Sequence, residues 1–114
     1  MSRISTHVLD TAKGKPAAGM PVRLERQDSP TKWSGIGSGY TDNDGRCSQL
    51  LPEGEPLREG IYRLTFDTAS YFATSKQDGL YPGVQITFRV GSGESHYHIP
   101  ILLSPNGYTT YRGS

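Results

Sequence analysis

The chain has 114 residues, with 12 basic and 11 acidic side chains and a formal net charge of +1. This length is typical of one domain, and we expect a single domain over residues 1–114. The balanced charge leaves no basic stripe of the kind that binds nucleic acid. No apolar run is long enough to cross a bilayer. We therefore expect neither nucleic acid nor a membrane as a partner.

The two ends of the chain and its one cysteine indicate a reducing compartment. The first seven residues lack the apolar stretch of a secretory signal, and the last three are not the peroxisomal address Ser-Lys-Leu. Cys47 cannot form an internal disulfide, and we expect it to be a small buried hydrophobe. These features predict a cytoplasmic protein, although an export signal removed ahead of this sequence would leave no trace.

Short alternating runs separated by turn residues predict an all-β fold. The 14 glycines and 8 prolines fall between runs in which apolar and polar residues alternate. The predicted strands cover, in chain order, residues 4–9, 22–25, 33–41, 45–51, 62–66, 84–90, 97–103 and 108–112. Pro100 lies inside one of them, which predicts a bulge or an unpaired backbone position.

One segment does not follow the strand pattern. Residues 70–77 lack both alternation and turn residues, so they predict a short helix that is capped by Ser70 and stopped at Gly79. Seven or eight short strands and one brief helix predict a sandwich of two sheets.

Strand parity predicts that two histidines face away from the core. If Ile4 and Val8 face inward, His7 points outward, and the apolar alternation of residues 97–103 turns His98 outward in the same way. The outer face so formed is half apolar and carries Leu9, Leu102, His7, His98 and Tyr111. Such a face is often covered by another subunit, which would create a protected cleft between protomers.

Residue chemistry alone predicts a pocket with bases, a cation and hydroxyls. Histidine moves protons near neutral pH, but a single histidine is more often a surface or structural residue, and we keep that interpretation for His96. The histidines lack the spacing of an obvious zinc site, although strands could bring His7 and His98 together. Ser114 has no Gly-x-Ser-x-Gly context and is not an elbow nucleophile.

Four short stretches, distributed from near the start of the chain to its end, carry a family resemblance that runs nearly end to end. They are THVLD at residues 6–10, GR at 45–46, HYHIPILLSP at 96–105 and YRGS at 111–114. They are similar to the 5-hydroxyisourate hydrolases, the transthyretin-related enzymes of urate breakdown, and the final tetrapeptide is the most specific mark. Transthyretin, the thyroid-hormone carrier of the same fold, lacks that ending and the histidine pair.

The resemblance implies an all-β, transthyretin-like sandwich of two four-stranded sheets with one short helix. It also implies a homotetramer in which the outer faces of paired dimers enclose a channel. The implied substrate is 5-hydroxyisourate, a planar product of urate oxidation. Its ring amide would be hydrolysed without a metal or an organic cofactor.

The resemblance also implies roles for individual residues. The catalytic candidates are His7, Arg46, His98 and Ser114; the substrate-binding candidates are His7, Arg46 and Tyr111; Arg112 and Gly113 support the tail. The two histidines would hold and deprotonate water, or relay its proton. Arg46 would anchor the anionic or carbonyl edge of the substrate with its fork of donors. Which histidine is the base stays open, as does whether Arg112 pins the tail through an ion pair.

Two other functions are compatible with the same fold. One is a transthyretin-like carrier that binds an aromatic ligand in the channel, which the final tetrapeptide and the two histidines disfavour. The other is a structural β-sandwich module without a small-molecule site, in which His7 and His98 would lie far apart.

Overall fold

A computed structural model describes residues 3–114, which contain nine β-strands and one α-helix. The strands are β1 (Arg3–Asp10), β2 (Lys15–Pro16), β3 (Pro21–Ser29), β4 (Lys32–Tyr40), β5 (Arg46–Cys47), β6 (Gly60–Phe66), β7 (Val84–Val90), β8 (His96–Ser104) and β9 (Gly107–Thr110). The helix α1 (Thr68–Thr74) lies between β6 and β7. Within residues 3–114, no helix has the length and apolar character needed to span a membrane.

The strands form two sheets. The first sheet has the order β2-β1-β8-β9, with β5 also paired to β1, and the second has the order β4-β3-β6-β7. Among the strand pairs in residues 3–114, only β1 and β8 run parallel. The all-β sandwich is confirmed, but the first sheet has five strands rather than four. The extra strand arises because β2 and β5, each two residues long, share the edge of β1 that β8 leaves free.

The inward faces of both sheets meet in one apolar core. The first sheet contributes Ile4, Val8, Ile99, Ile101 and Leu103, and the second contributes Leu24, Tyr62, Leu64, Phe66 and Val90, all at most 4% exposed. Full burial of a leucine or phenylalanine side chain contributes about 1.5–3 kcal/mol. Cys47 is also buried, as predicted, and burial raises the pKa of its thiol.

The helix begins and ends at other residues than the sequence pattern indicated. Its N-cap is Asp67, whose carboxylate accepts hydrogen bonds from the backbone N–H and the hydroxyl of Ser70. Aspartate is a strongly preferred N-cap residue. The helix begins at Thr68, two residues before Ser70, so Ser70 lies inside the helix and is not its cap. The helix ends at Thr74, and Lys76 follows in the left-handed region at φ 55°. The helix therefore ends well before Gly79, the residue at which the sequence predicted its end.

Two further local predictions need correction. The predicted strand over residues 45–51 is limited to Arg46–Cys47, and farther along the segment the backbone N–H of Leu50 donates to the carbonyl of Ile4 in β1 at 3.1 Å. Pro100 causes no bulge, since the pairing of β1 with β8 continues through it without a shift in register. The other predicted possibility, an unpaired backbone position, applies on the side of β9, where the pairing with β8 begins at Ile101. The carbonyl of Pro100 accepts a hydrogen bond from the Thr110 hydroxyl at 2.8 Å, at the point where β9 ends.

A buried carboxylate joins the helix to the first sheet. Asp10, at the end of β1, is 1% exposed and accepts a hydrogen bond from the Tyr71 hydroxyl at 2.7 Å. Its other carboxylate oxygen accepts from the backbone N–H of Lys13 at 3.0 Å, which orders the turn between β1 and β2. Burial and the contact with Asp10 raise the pKa of Tyr71 above its ordinary value. The tyrosine is therefore a neutral donor that partners a buried charge.

We predict that Tyr71→Phe lowers the free energy of unfolding by about 1–3 kcal/mol, because it leaves a buried carboxylate oxygen without its donor. Urea denaturation at fixed protein concentration measures the change. The matched control is Tyr40→Phe, because Tyr40 is 71% exposed and its hydroxyl should contribute little. Equal stability of the two variants would contradict the role given to the Asp10 contact.

Candidate active site

The parallel pairing of β1 and β8 fixes the positions of the histidines. The register sets Ser5 opposite His98 and His7 opposite Pro100. Paired residues project from the same face of a sheet, and the alternate residues Ile4 and Ile99 are buried in the core. His7 and His98 therefore share the outer face of the first sheet, as parity predicts.

A tight turn brings Arg46 beside His7. The two residues are directly paired between β1 and β5. In the turn before Arg46, the Asp42 carboxylate accepts hydrogen bonds from the backbone N–H groups of Asp44 at 2.9 Å and Arg46 at 3.0 Å. The hydrogen bond from Arg46 is the main cause that lowers the pKa of Asp42. This side-chain-to-backbone bonding is the usual way in which aspartate stabilises a turn.

Gly45 holds this turn against β1. Its φ is +76°, a conformation that favours glycine, and its carbonyl accepts a hydrogen bond from the backbone N–H of Val8 at 2.7 Å. A Cβ at this position would collide with the Val8 carbonyl oxygen. The turn can approach β1 this closely only because residue 45 has no side chain. This approach brings Arg46 to the outer face of the first sheet, where His7 lies.

The same turn orients His7. The Nε2 atom of His7 lies 2.8 Å from the backbone carbonyl oxygen of Asp44. Because a carbonyl oxygen only accepts, Nε2 carries the proton of this hydrogen bond. In the neutral ring, Nδ1 is then the nitrogen with a free lone pair.

His98 is half-buried and has an environment that keeps it neutral. Its Nδ1 lies 2.8 Å from the Ser5 hydroxyl. Burial, followed by the positive charge of Arg46 and by His7 when it is protonated, lowers the pKa of His98 below its ordinary value of 6.5. His96 and Arg3 act in the same direction. The ring is therefore a neutral base at neutral pH.

The final residues of the chain fold back onto His98. The backbone N–H of Gly113 donates to the carbonyl of His98 at 2.7 Å and forms an isolated β-bridge. A Cβ on Gly113 would lie 2.5 Å from Cδ2 of the His98 ring. Gly113 thus permits close approach of the tail to the ring, which is a more specific role than the general support of the tail expected from the resemblance.

Arg112 and Tyr111 point elsewhere. The guanidinium of Arg112 lies 3.5 Å from the Glu94 carboxylate and 4.3 Å from the centre of the Tyr97 ring. This exposed ion pair is of a kind that contributes little to stability, but it attaches the tail to the end of β8. Tyr111 is 55% exposed and is not among the residues that line the cleft described next.

The tail, β5 and the paired strands enclose a cleft of about 270 Å³. It is lined by Arg3, Ser5, Thr6, Arg46, Ser48, His96, His98 and Ser114. Three of the predicted site residues line it directly, namely Arg46, His98 and Ser114. His7 adjoins it through its pairing with Arg46. Within residues 3–114, no group of three or more His, Cys, Asp or Glu side chains could hold a metal ion.

Residue-level reasoning missed several members of the cleft. Ser5 lies two residues before His7 in β1 and so shares its face, but nothing in the alternation indicates that it contacts His98. Arg3 and His96, a directly paired couple, also line the cleft. His96 therefore belongs to the site's surroundings, although it was interpreted as an ordinary surface residue.

A second groove lies on the outer face of the second sheet. Its volume is about 340 Å³, and its charged lining residues are Arg23 and Asp67. The Asp67 carboxylate is already engaged at the helix N-terminus. Because this groove contains no histidine and the Asp67 carboxylate is already hydrogen-bonded to Ser70, the smaller cleft is the better candidate for acid–base chemistry.

Residues 4–113 match the model of the HIUase/Transthyretin family. The chain belongs to this family. It is 44% identical over 114 residues to the 5-hydroxyisourate hydrolase of Mus musculus, an alignment that covers 99% of this chain and 96% of that protein.

Solved structures of the HIUase/Transthyretin family resemble this one closely. The 5-hydroxyisourate hydrolase of Klebsiella pneumoniae is 37% identical with a TM-score of 0.86, and the match covers 100% of both chains. Transthyretin from Sparus aurata is 29% identical with a TM-score of 0.88, covering 96% of this chain and 95% of that chain. The transthyretin-like fold is confirmed, and the backbone alone does not separate the two kinds of relative.

We predict that Gly113→Ala breaks the bridge between the tail and His98, because the added methyl group collides with the imidazole. Hydrogen exchange measured by NMR should show reduced protection of the amide at position 113. Gly35→Ala is the matched control, since a Cβ at Gly35 meets nothing within 4 Å. Unchanged protection in Gly113→Ala would show that the tail does not depend on this close approach.

Proposed function

We propose that this protein hydrolyses 5-hydroxyisourate to 2-oxo-4-hydroxy-4-carboxy-5-ureidoimidazoline, a step in urate breakdown. The observation that carries the proposal is the convergence of His98, Arg46 and Ser114 in one cleft, with His7 beside them. The 5-hydroxyisourate hydrolases among the relatives support the choice of substrate.

The reaction is hydrolysis of a ring amide by an activated water. The water oxygen attacks the amide carbonyl carbon as its proton passes to an imidazole, and the carbonyl oxygen becomes an oxyanion. When that oxyanion collapses, the carbon–nitrogen bond breaks and the departing nitrogen takes up a proton. The product is a ring-opened carboxylate, and no electrons are exchanged with another reactant.

We assign the first proton transfer to His98. It is held neutral by burial and by nearby positive charge, so it is ready to accept a proton at neutral pH. His7, with Nε2 engaged by the Asp44 carbonyl, offers Nδ1 to hold the water or relay its proton. The pair supplies acid–base chemistry from protein side chains, and we propose that no metal or organic cofactor takes part.

Arg46 would stabilise negative charge as it develops. Its guanidinium is permanently charged, and its planar fork of donors is suited to a carbonyl or carboxylate edge. The aspartate-stabilised turn and the Gly45 contact hold its backbone in place. Ser114, which also lines the cleft, would orient the substrate, and the bridge at Gly113 supports its position.

We further propose that the protein acts as a homotetramer in the cytoplasm. Arg46 and Ser114 are exposed in the single chain, so the cleft is open to water on one side. Leu9 and Leu102 give the same outer face an apolar component that a second copy would cover. Tyr111, which does not line the cleft within one chain, would contact substrate only when the face is closed in this way.

The alternative function is a carrier of an aromatic ligand, as in the sea bream transthyretin that was solved in complex with thyroxine. That relative supports the alternative through its fold. The lining of the cleft disfavours it, because two arginines and two histidines are costly to desolvate against an apolar ligand.

We predict that the protein accelerates the ultraviolet decay of freshly generated 5-hydroxyisourate over its spontaneous rate. His98→Gln or His7→Gln should lower kcat by about a hundredfold or more, because a positioned base is lost. Arg46→Lys should lower kcat/KM, since the forked pair of donors is replaced by a point charge.

Arg23→Lys serves as the control for Arg46, because Arg23 lies on the outer face of the second sheet. Tight binding of 5-hydroxyisourate without acceleration would favour the carrier. Near-normal turnover by either histidine variant would remove that histidine from the mechanism.

We predict that activity persists to a pH below 6.5, the ordinary pKa of histidine. A lowered pKa keeps His98 in its neutral, base-competent form as the pH falls, and activity is lost only when the pH passes through this lowered value. The acidic limb of kcat/KM against pH reports the pKa in the free enzyme. An acidic midpoint at or above 6.5 would contradict His98 as the base.

The charge contribution has its own test. In Arg46→Gln, NMR titration of His98 should give a higher pKa than in the wild type, because a neighbouring positive charge is gone. Arg23→Gln should leave the titration of His98 unchanged.

A further inference from the structure

Ser5 lies directly opposite His98 in the parallel pair of β1 and β8. Its hydroxyl oxygen is 2.8 Å from His98 Nδ1, and the serine is only 8% exposed. We propose that Ser5 is a positioning residue that accepts a hydrogen bond from Nδ1–H of His98 and thereby directs the Nε2 lone pair into the cleft. This inference rests on the proposed function, in which His98 is the base.

The direction of this hydrogen bond follows from the charges around the ring. A serine hydroxyl both donates and accepts, so the distance alone is compatible with either tautomer. The charged groups whose interaction lowers the pKa of His98 are Arg3 and His7 from β1, Arg46 from β5 and His96 from its own strand, and all but His7 line the cleft with it. Each is cationic or becomes so on protonation. A lone pair directed toward this cationic cleft is attracted, whereas an N–H bond directed there is repelled.

The opposite edge of the ring has its own contact. The Cδ2 atom of His98 faces Gly113, whose missing Cβ leaves the space that the ring edge occupies. Nε2 is bonded to Cδ2, so this nitrogen lies on the edge nearer the tail, where Ser114 lines the cleft. The imidazole is thus held between a hydroxyl on one strand and the backbone of the tail.

This arrangement gives Ser5 a role without contact to the substrate. Of the two ring nitrogens, the one that carries the proton is set by the hydrogen bond that the other makes. Without the hydroxyl, Nδ1–H would lose its acceptor in a half-buried site, and the ring would be freer to exchange tautomers or to rotate. The fraction of molecules with a correctly aimed base would fall.

The test compares Ser5→Ala with Ser5→Thr, which retains a hydroxyl at the same position. In ¹⁵N NMR of the free protein, wild-type His98 should show a protonated Nδ1 and an unprotonated Nε2 above its pKa, with the resonances assigned by His98→Gln. Ser5→Ala should redistribute the proton between the nitrogens, and Ser5→Thr should preserve the wild-type pattern.

The kinetic readout uses 5-hydroxyisourate. Ser5→Ala should lower kcat by roughly 10–100-fold, the scale at which residues that orient an imidazole act in metal sites, with KM changed much less. Ser5→Thr should recover most of the lost kcat. Ser38→Ala, an exposed serine on the second sheet, is the matched control for removal of a hydroxyl. Urea denaturation of each variant verifies that it is folded.

The outcomes separate this inference from the proposed function. A wild-type protein that hydrolyses 5-hydroxyisourate but carries its His98 proton on Nε2 would overturn the role of Ser5 and leave the function standing. So would a Ser5→Ala variant with wild-type kcat. A wild-type protein without activity would refute the function, while the NMR tautomer would still report whether Ser5 orients the ring.

Discussion

The site depends on one constraint, the register of the parallel pair formed by β1 and β8. These strands come from opposite ends of the chain, with Ser5 and His98 separated by 93 positions. A slip of one residue would turn His98 into the core and bring Ile99 to the outer face. The register is therefore fixed by the same apolar residues that build the core. Packing of Ile4 and Ile99 is what aligns a serine with a histidine on the other side of the sheet.

The sequence could predict which face of a sheet a side chain lies on, but not which strands are neighbours. Alternation shows that His7 and His98 point outward, because the period of a strand is two. It does not show which strands pair, so the contact between Ser5 and His98 was not visible. The four-stranded first sheet was wrong for a related reason: β2 is too short to produce alternation and was not predicted, and it joins β5 in pairing with β1. Their pairing with β1 depends on turns, and the turn at Gly45 works because of contact with a strand 37 positions earlier in sequence.

The tail, residues 111–114, shows that a sequence motif can identify a functional region without indicating which contacts its residues make. Its four residues were expected to have different roles, and their environments in the structure differ. Gly113 contacts the His98 ring, Ser114 lines the cleft, and Arg112 pairs with Glu94 just before β8. Tyr111 remains exposed within a single chain. Turn patterns in a sequence often indicate a glycine that is needed for a positive φ. Gly113 is needed for another reason: a Cβ there would collide with the ring of His98, which lies on a different strand.

Hydrolase and carrier relatives share this backbone closely, so the difference in function must lie in the side chains on the outer face. A carrier needs an apolar channel that releases its ligand unchanged. A hydrolase needs a base that is neutral, a water that is held and a cation that meets developing charge. In the proposed mechanism the cationic groups around His98 would meet two of these requirements at once, because they lower the pKa of His98 and would attract an oxyanion. Both effects weaken when water screens the charges. Closure of the open side by a second copy would therefore strengthen the chemistry as well as shape the pocket, which links assembly to catalysis in the proposed enzyme.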